Sequence, residues 1–196
     1  SIMYARGYGH FTWDPSSPRP RPDSTIWDLA SLTKVIATTG VAARLVDQGR
    51  LDLEAPVSKY LPIFTGGGRE SVTVRMLLDH TSGLPAWLAL WREAPSASQA
   101  IARIAREPLR RRPGTSPVYS DLNAILLGAV LEKAGGAPFP ALVEQEVIKP
   151  LGLTRTAFFI AVEDRGFTAP TSRDPGMVVR GRVNDLNAFF LGGASG

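Results

Sequence analysis

A serine and a lysine, three residues apart, stand at the start of the first long apolar stretch of the chain. They are Ser31 and Lys34 in the sequence DLASLTK, and no further charge occurs until Arg44. Residues three apart on an α-helix share one face, about one turn from each other. The apolar stretch predicts a buried helix, and burial disfavours the charged form of an amine. A neutral lysine within hydrogen-bond distance can take the proton of the serine hydroxyl and leave a nucleophilic oxygen.

The same spacing also arises by chance on solvated helix surfaces, so the pair needs support from a second motif. Tyr119 and Asp121 lie in the sequence VYSDL at residues 118–122, in a predicted loop before a helix. Tyrosine keeps its proton to about pH 10, so a catalytic tyrosine base needs a cationic neighbour. Lys34 could be that neighbour, in which case the two groups share one proton and the base is not assigned to either. The alternative is that Tyr119 is a structural loop residue.

The cysteine and histidine content narrows the chemistry. The chain has no cysteine, which excludes disulfides, thiolate nucleophiles and cysteine-based zinc sites. Its 2 histidines, His10 and His80, are far apart in sequence. We therefore expect no metal site and no cofactor, and a mechanism that does not use histidine. His80 lies in a predicted loop, where we expect a structural role.

The charge pattern argues against a nucleic-acid partner. The net charge is only +4, and the basic residues are concentrated near one predicted helix end, at Arg103, Arg106, Arg110, Arg111 and Arg112. A nucleic-acid reader would add interleaved aromatic residues or a known module, so we interpret this cluster as a solvated helix end. No apolar run approaches the roughly 20 residues of a membrane span. No signal peptide is visible, and the sequence leaves the compartment open.

The residue pattern predicts three segments. Residues 1–27 are predicted to form one or two strands and a proline-rich loop. Residues 28–160 are predicted to form a helical lobe that carries Ser31 and Tyr119. Residues 161–196 are predicted to form a loop-rich return segment with a strand near residues 177–179. The predicted helices run from Asp28, as a cap, to Gly49, and over residues 72–78, 96–107, 122–133 and 139–148, with a short helical turn at 57–61. This is a helix-dominated middle and not an alternating βαβ pattern.

Further stretches extend the two motifs to a family resemblance. They are GRLDLEAPVSKYLP at residues 49–62, VRMLLDHTSGL at 74–84 and PLGLTRT at 150–156. In this order the set resembles the serine β-lactamase and penicillin-binding-protein superfamily. More narrowly, it is similar to the branch of class C β-lactamases, D-Ala-D-Ala carboxypeptidases and β-lactamase-like esterases. The resemblance covers about residues 25–196 and implies an α/β (α+β) fold with a helical lobe and an antiparallel-sheet lobe.

The resemblance implies a role for each candidate residue. Ser31 would be the acylated nucleophile, Lys34 would activate it or keep the tyrosine ionised, and Tyr119 would relay the proton to the leaving group. Asp121 stands where the family has an asparagine that contacts the substrate amide and the lysine. An ionised aspartate cannot donate a hydrogen bond, so we expect weaker amide recognition. It would also hold Lys34 protonated, which favours Tyr119 as the base.

The C-terminal part departs from the family pattern. The third motif, Lys-Thr-Gly or His-x-Gly on a strand that supplies an oxyanion-hole N–H, is not found after Tyr119. We therefore expect an incomplete sheet lobe without the final strands. Missing strands would expose apolar surface and invite self-association.

These features together predict a serine hydrolase that works through an acyl-enzyme. Its substrate would be a small ester, a β-lactam or a D-Ala-D-Ala-type, peptidoglycan-like peptide, with esterase or carboxypeptidase activity favoured over β-lactamase activity. This ranking is an analogy with the family. The alternative is a truncated or degenerate relative that only binds a ligand or a partner.

Overall fold

The computed structural model describes residues 2–94, 96–172 and 178–196. Seven α-helices occur in these ranges: α1 (Gly40–Asp47), α2 (Val74–Leu78), α3 (Leu90–Glu93), α4 (Ala97–Arg106), α5 (Asp121–Gly135), α6 (Phe139–Val143) and α7 (Leu186–Leu191). A π-helical segment, Lys34–Thr39, leads directly into α1, and another, Glu144–Ile148, continues α6. Short 3-10 helices span Val57–Lys59, Arg69–Ser71 and Val162–Phe167. Strands β1 (Thr171–Ser172) and β2 (Val178–Val179) pair antiparallel, with Thr171 opposite Val179.

Helix α5 forms the centre of the molecule. It is apolar on nearly all sides, which is typical of a helix surrounded by other elements, and α1, α2, α4 and α6 all pack against it. The hydroxyl of Ser120 caps its start by accepting from the N–H of Asn123, and Gly136 ends it in the left-handed conformation. Because α5 is held on every side, the residues at its N-terminus have a fixed position in the fold.

The structure confirms the helices predicted inside the lobe. Helix α4 follows Ser96, whose side chain accepts from the N–H of Gln99, and α2 follows Thr73, which caps in the same way. The predicted helices at residues 122–133 and 139–148 are present as α5 and as α6 with its π-helical continuation. The sequence analysis missed α3 and α7, which are only 4 and 6 residues long. Helices this short contain too few residues to show a clear hydrophobic periodicity in the sequence.

The strands predicted in residues 1–13 are wrong. Among the described residues 2–25 the structure contains no strand, and the nearest pairing is a single parallel bridge between Ile26 and Thr168. A strand needs a neighbour for its backbone groups, and the aromatic side chains of Tyr4, Tyr8 and Trp13 here face solvent instead of a sheet. The strand predicted near residues 177–179 is confirmed at Val178–Val179, while Met177 lies outside the described residues. The wider antiparallel lobe stays a prediction.

Burial of the first helix is confirmed on one face only. Ala37, Thr38 and the α1 residues Val41, Ala42 and Leu45 are buried, whereas Leu32 is 58% and Val35 66% exposed. The helix is therefore half-buried, with an apolar outer face that the sequence analysis placed in the core. Exposed apolar side chains of this kind are the basis of the predicted self-association, which stays a prediction.

The basic cluster near the end of α4 is partly neutralised by one buried carboxylate. Glu107 Oε2 lies 2.7 Å from Arg103 and Oε1 lies 3.1 Å from Arg110. The hydrogen bond from Arg103 holds the pKa of the Glu107 carboxyl below its usual value. Ion pairing within the fold agrees with the interpretation of this cluster as a helix end.

In the part of the chain that the structure describes, no single helix is long and apolar enough to cross a membrane. The pair formed by Asp121–Gly135 and Phe139–Ile148, bent by 71°, meets that test jointly, by length and composition only.

The C-terminal residues return to the middle of the fold and pack on α5 and on the first helix. The carbonyl of Ala194 accepts from the hydroxyl of Thr38 at 2.8 Å. On the other side, a Cβ atom added to Gly128 of α5 would lie 2.5 Å from the Cβ of Ala194. The absence of a side chain at Gly128 is therefore what allows this close approach.

We predict that Gly128→Ala destabilises the fold because the added methyl group overlaps Ala194. Overpacking costs about 1–3 kcal/mol, and the better helix propensity of alanine returns about 1 kcal/mol of that. The free energy of unfolding in urea should fall, and adding Ala194→Gly should restore it. Gly166→Ala is the matched control, since nothing lies within 4 Å of its added Cβ. Equal stability of the Gly128→Ala variant and this control would contradict the packing described.

Candidate active site

Ser31 lies in a turn immediately before the π-helical segment. Asp28 organises this turn: its Oδ1 accepts from the N–H of Ala30 at 2.9 Å, and its Oδ2 accepts from the N–H of Asn184 at 3.0 Å. Ala30 has a φ of 45°, an uncommon value for a residue with a side chain. The sequence analysis expected Asp28 to cap the helix, and this is wrong. Asp28 instead stabilises the turn that leaves Ser31 exposed at the start of the helix.

Lys34 brings three separate parts of the chain together. Its Nζ lies 3.0 Å from Ser31 Oγ, donates a hydrogen bond to the carbonyl of Ser195, and lies 2.7 Å from Asp121 Oδ1. The contact with Asp121 is an ion pair whose geometry is not that of a hydrogen bond. Lys34 is itself buried, at 7% exposure. The predicted serine–lysine pair is thus formed, with the lysine in the interior and the serine at the surface.

This arrangement suits either protonation state of Lys34. An ammonium group has three N–H donors, and three oxygen atoms surround Nζ. A neutral amine could instead donate to the carbonyl of Ser195 and turn its lone pair towards the hydroxyl of Ser31. The two candidate bases of the sequence analysis therefore stay open.

Tyr119 approaches Lys34 with the face of its ring. The ring centroid lies 5.0 Å from Lys34 Nζ, within the range of a cation–π contact. Tyr119 is 57% exposed, and among the described residues its hydroxyl has no hydrogen-bond partner. The structure therefore brings the phenol beside the amine, as expected, but the sharing of one proton between them stays a prediction.

Asp121 is placed by the start of α5. It is the first residue of the helix, where the helix dipole favours a negative charge, and its N–H donates to the carbonyl of Ala86 at 2.9 Å. Its carboxylate turns towards Lys34. The predicted neighbourhood of Asp121 and Lys34 is therefore present, while the role of Asp121 towards a substrate stays a prediction.

An open pocket of about 470 Å³ lies at Ser31. Ser31, Lys34 and Tyr119 contribute to its wall, and so does His80, which the sequence analysis left as a structural residue. A second cavity of about 370 Å³ lies next to it and shares Leu29. That cavity is largely apolar, with Ile36, Val147 and Phe158 among its lining residues. Ser31, Lys34 and Tyr119 thus line the first pocket and not this second cavity.

Two features of the pocket were missed by sequence reasoning. The Ser195 carbonyl gives no signal, because every residue carries the same backbone group. His80 did carry a signal, since it is one of only 2 histidines and lies in the stretch at residues 74–84 that contributes to the family resemblance. Burial and the nearby Lys34 charge lower the pKa of His80, while Asp121 and Asp79 act in the opposite direction. Among the described residues, no three His, Asp or Glu side chains are placed to hold a metal ion.

Solved structures define the class of fold. FmtA from Staphylococcus aureus superposes with a TM-score of 0.76 at 22% identity, covering 94% of this chain and 52% of its own. A mutant class C β-lactamase superposes with a TM-score of 0.75 at 24% identity, covering 91% of this chain and 48% of its own. The described residues are mostly helical with little sheet, and they match about half of that β-lactamase/transpeptidase fold.

The chain belongs to the Beta-lactamase family, whose model matches residues 1–196. A candidate D-alanyl-D-alanine carboxypeptidase of Escherichia coli K12 is 32% identical over 231 aligned positions, covering all of this chain and 53% of the relative. Esterase EstB of Burkholderia gladioli is 36% identical, covering 86% of this chain and 47% of the relative. An N-acetylmuramyl-L-alanine amidase of Bacillus subtilis is 33% identical, covering 91% and 47%. The chain spans about half the length of these relatives.

We predict that Asp28→Ala loosens the turn that presents Ser31, because the N–H groups of Ala30 and Asn184 lose their acceptor. Amide hydrogen exchange at these two positions should accelerate, and stability should fall by about 0.5–1.5 kcal/mol. Asp28→Asn keeps one side-chain oxygen and should recover part of the protection. Asp47→Ala, an aspartate on the exposed end of α1, is the control. Unchanged exchange at Ala30 in the Asp28→Ala variant would show that the turn is held by something else.

Proposed function

We propose that this chain carries the nucleophile and the activating groups of a serine hydrolase that forms an acyl-enzyme. The observation that carries the proposal is the contact of 3.0 Å between the exposed Ser31 hydroxyl and the buried Lys34 amine. A buried amine whose other neighbours are a carbonyl and a carboxylate is an unusual partner for a serine. Nucleophile activation by an adjacent base accounts for it.

In the proposed acylation step, Ser31 Oγ attacks the carbonyl carbon of the substrate and loses its proton. The proton passes to a neutral Lys34 amine or to a Tyr119 phenolate beside a Lys34 ammonium, and then to the leaving group as its bond to the acyl carbon breaks. Water hydrolyses the resulting serine ester and regenerates the hydroxyl. Tyr119 lines the same pocket and is 57% exposed, which supports it as a group within reach of a departing alcohol or amine.

The backbone N–H of Ser31 supports the same step. Among the described residues it has no acceptor, while the N–H groups of Leu32, Thr33 and Lys34 all donate to carbonyls of the turn. A free N–H next to the nucleophile can stabilise the negative oxygen of a tetrahedral intermediate. A complete oxyanion hole needs a second donor, which the sequence motifs of this chain do not supply.

For the substrate class we favour esters and D-Ala-D-Ala-type peptides over β-lactams. Asp121 supports esters over amide substrates, because a carboxylate at 2.7 Å from Lys34 accepts hydrogen bonds but donates none to a substrate amide. For D-Ala-D-Ala-type peptides the support comes from the names of the relatives, which include a candidate carboxypeptidase as well as an esterase.

We predict that Ser31→Ala abolishes covalent labelling of the chain by a fluorophosphonate and removes any burst with p-nitrophenyl acetate. Intact-mass measurement should show one adduct on the wild-type chain, and peptide mapping should place it on Ser31. Ser98→Ala, which changes an exposed serine of α4, should leave labelling unchanged.

Labelling that persists in the Ser31→Ala variant would assign the nucleophile to another residue. A wild-type chain that binds the reagent without forming an adduct would instead favour a relative that only binds ligands.

We predict that Asp121→Asn raises acylation by a β-lactam relative to acylation by an ester. The amide can donate a hydrogen bond that the carboxylate cannot, and it removes the negative charge beside Lys34. The ratio of the two second-order rate constants, measured with nitrocefin and p-nitrophenyl acetate, reports this change. An unchanged ratio would argue against a role for Asp121 in recognising the substrate amide.

A further inference from the structure

His80 contacts three consecutive residues of the loop that carries the candidate tyrosine. Its carbonyl accepts from the N–H of Val118 at 2.9 Å, and its Nδ1 accepts from the N–H of Ser120 at 3.2 Å. Between these two contacts its ring packs on Tyr119, with centroids 4.8 Å apart and planes inclined by 45°. His80 therefore contacts the backbone of the residues on either side of Tyr119 and also packs against the Tyr119 ring.

The backbone of His80 has an unusual conformation. Its φ is 62°, in the left-handed region that residues with a side chain seldom adopt. Such a conformation persists only where the surroundings impose it, and it clusters at functional sites. Here the neighbouring contacts of the ring and the carbonyl keep it in place.

A buried polar network determines which nitrogen of the His80 imidazole carries the hydrogen. The hydroxyl of Ser82 donates to Asn123 Oδ1 at 2.5 Å, which turns the amide nitrogen of Asn123 towards His80 Nδ1 at 3.3 Å. Nδ1 thus faces two donors, Asn123 Nδ2 and the N–H of Ser120. A neutral ring with Nδ1 as acceptor carries its hydrogen on Nε2. Ser82 and Asn123 are both fully buried, so this assignment is protected from water.

The charged groups around His80 have opposing effects on the protonation of its ring. The Lys34 charge disfavours a second proton on the ring, whereas Asp121 and Asp79 favour one. Protonation of Nδ1 would place a hydrogen against those of Ser120 and Asn123, so the contacts of the ring are those of the neutral form.

We propose that His80 is a positioning residue for Tyr119, acting through the acceptor Nδ1 that holds the N–H of Ser120. The inference rests on the proposed function, because it assigns to His80 a part in the reaction at Ser31. It differs from a purely structural role in one respect: loss of His80 should affect the reaction only through the hydroxyl of Tyr119.

The matched variants are His80→Asn and His80→Gly. Both residues tolerate a positive φ, but only asparagine offers a side-chain oxygen near the position of Nδ1. The acylation rate with p-nitrophenyl acetate should stay close to wild type in His80→Asn. It should fall about tenfold or more in His80→Gly, since positioned acid–base groups contribute about 10²–10⁴. His10→Gly, at the other and exposed histidine, is the control.

A double-mutant cycle separates positioning from folding. In a Tyr119→Phe background the hydroxyl is already absent, so His80→Gly should cause no further loss of acylation rate. A further loss as large as in the wild-type background would overturn the proposal, and so would equal rates for His80→Asn and His80→Gly. Circular dichroism of each variant checks that the helices are retained.

Nitrogen NMR tests the contact independently of activity. With only 2 histidines, the His10→Asn variant assigns the imidazole signals. We expect His80 with an unprotonated Nδ1 and a protonated Nε2, and we expect the Tyr119 ring signals to shift in His80→Gly. A protonated Nδ1 at neutral pH, or unmoved Tyr119 signals, would overturn the proposal. If the wild-type chain forms no acyl adduct, the proposed function fails. The NMR measurement still tests whether His80 Nδ1 accepts from the loop that carries Tyr119.

Discussion

The buried amine of Lys34 is the interaction on which the site depends. Removing a charged or strongly polar group from water is costly unless its neighbours replace the lost hydrogen bonds. Here the replacements come from three distant parts of the chain: the turn at Ser31, the first residue of α5 and the carbonyl of Ser195. Loss of any one of them removes part of the compensation for burying this amine. The fold therefore has to close correctly around Lys34 for its amine to be buried beside Ser31.

The packing explains how such distant segments meet at one atom. Helix α5 is surrounded by other helices, so its N-terminus delivers Asp121 and the preceding Tyr119 to a fixed place. The close approach at Gly128 allows Ala194 and Ser195 to reach the first helix. On the outer side, Asp28 holds the turn that exposes Ser31. Core packing thus sets the inner partners of Lys34, and a surface turn sets its exposed partner, Ser31.

Sequence reasoning succeeded where local rules dominate. The spacing of Ser31 and Lys34 predicted their contact, and the local sequence pattern predicted helices over residues 96–107 and 122–133, which are present as α4 and α5. It failed where long-range packing decides. The aromatic pattern of residues 1–13 resembles a strand, but the described residues 2–13 pair with no strand. The part played by His80 depends on a left-handed backbone and on two buried side chains from elsewhere in the chain, and no local pattern encodes these.

The hydrogen exchange of the lysine side chains tests the central claim most directly. Lys34, Lys59, Lys133 and Lys149 are the lysines of the chain, and only Lys34 is buried. The account predicts that its Nζ hydrogens alone are protected in nitrogen-detected NMR, that their signal disappears in Lys34→Met, and that it shifts in Asp121→Asn. If Lys34 exchanges as fast as the three exposed lysines, its amine is not held between Ser31, Asp121 and Ser195, and the proposed site is not formed.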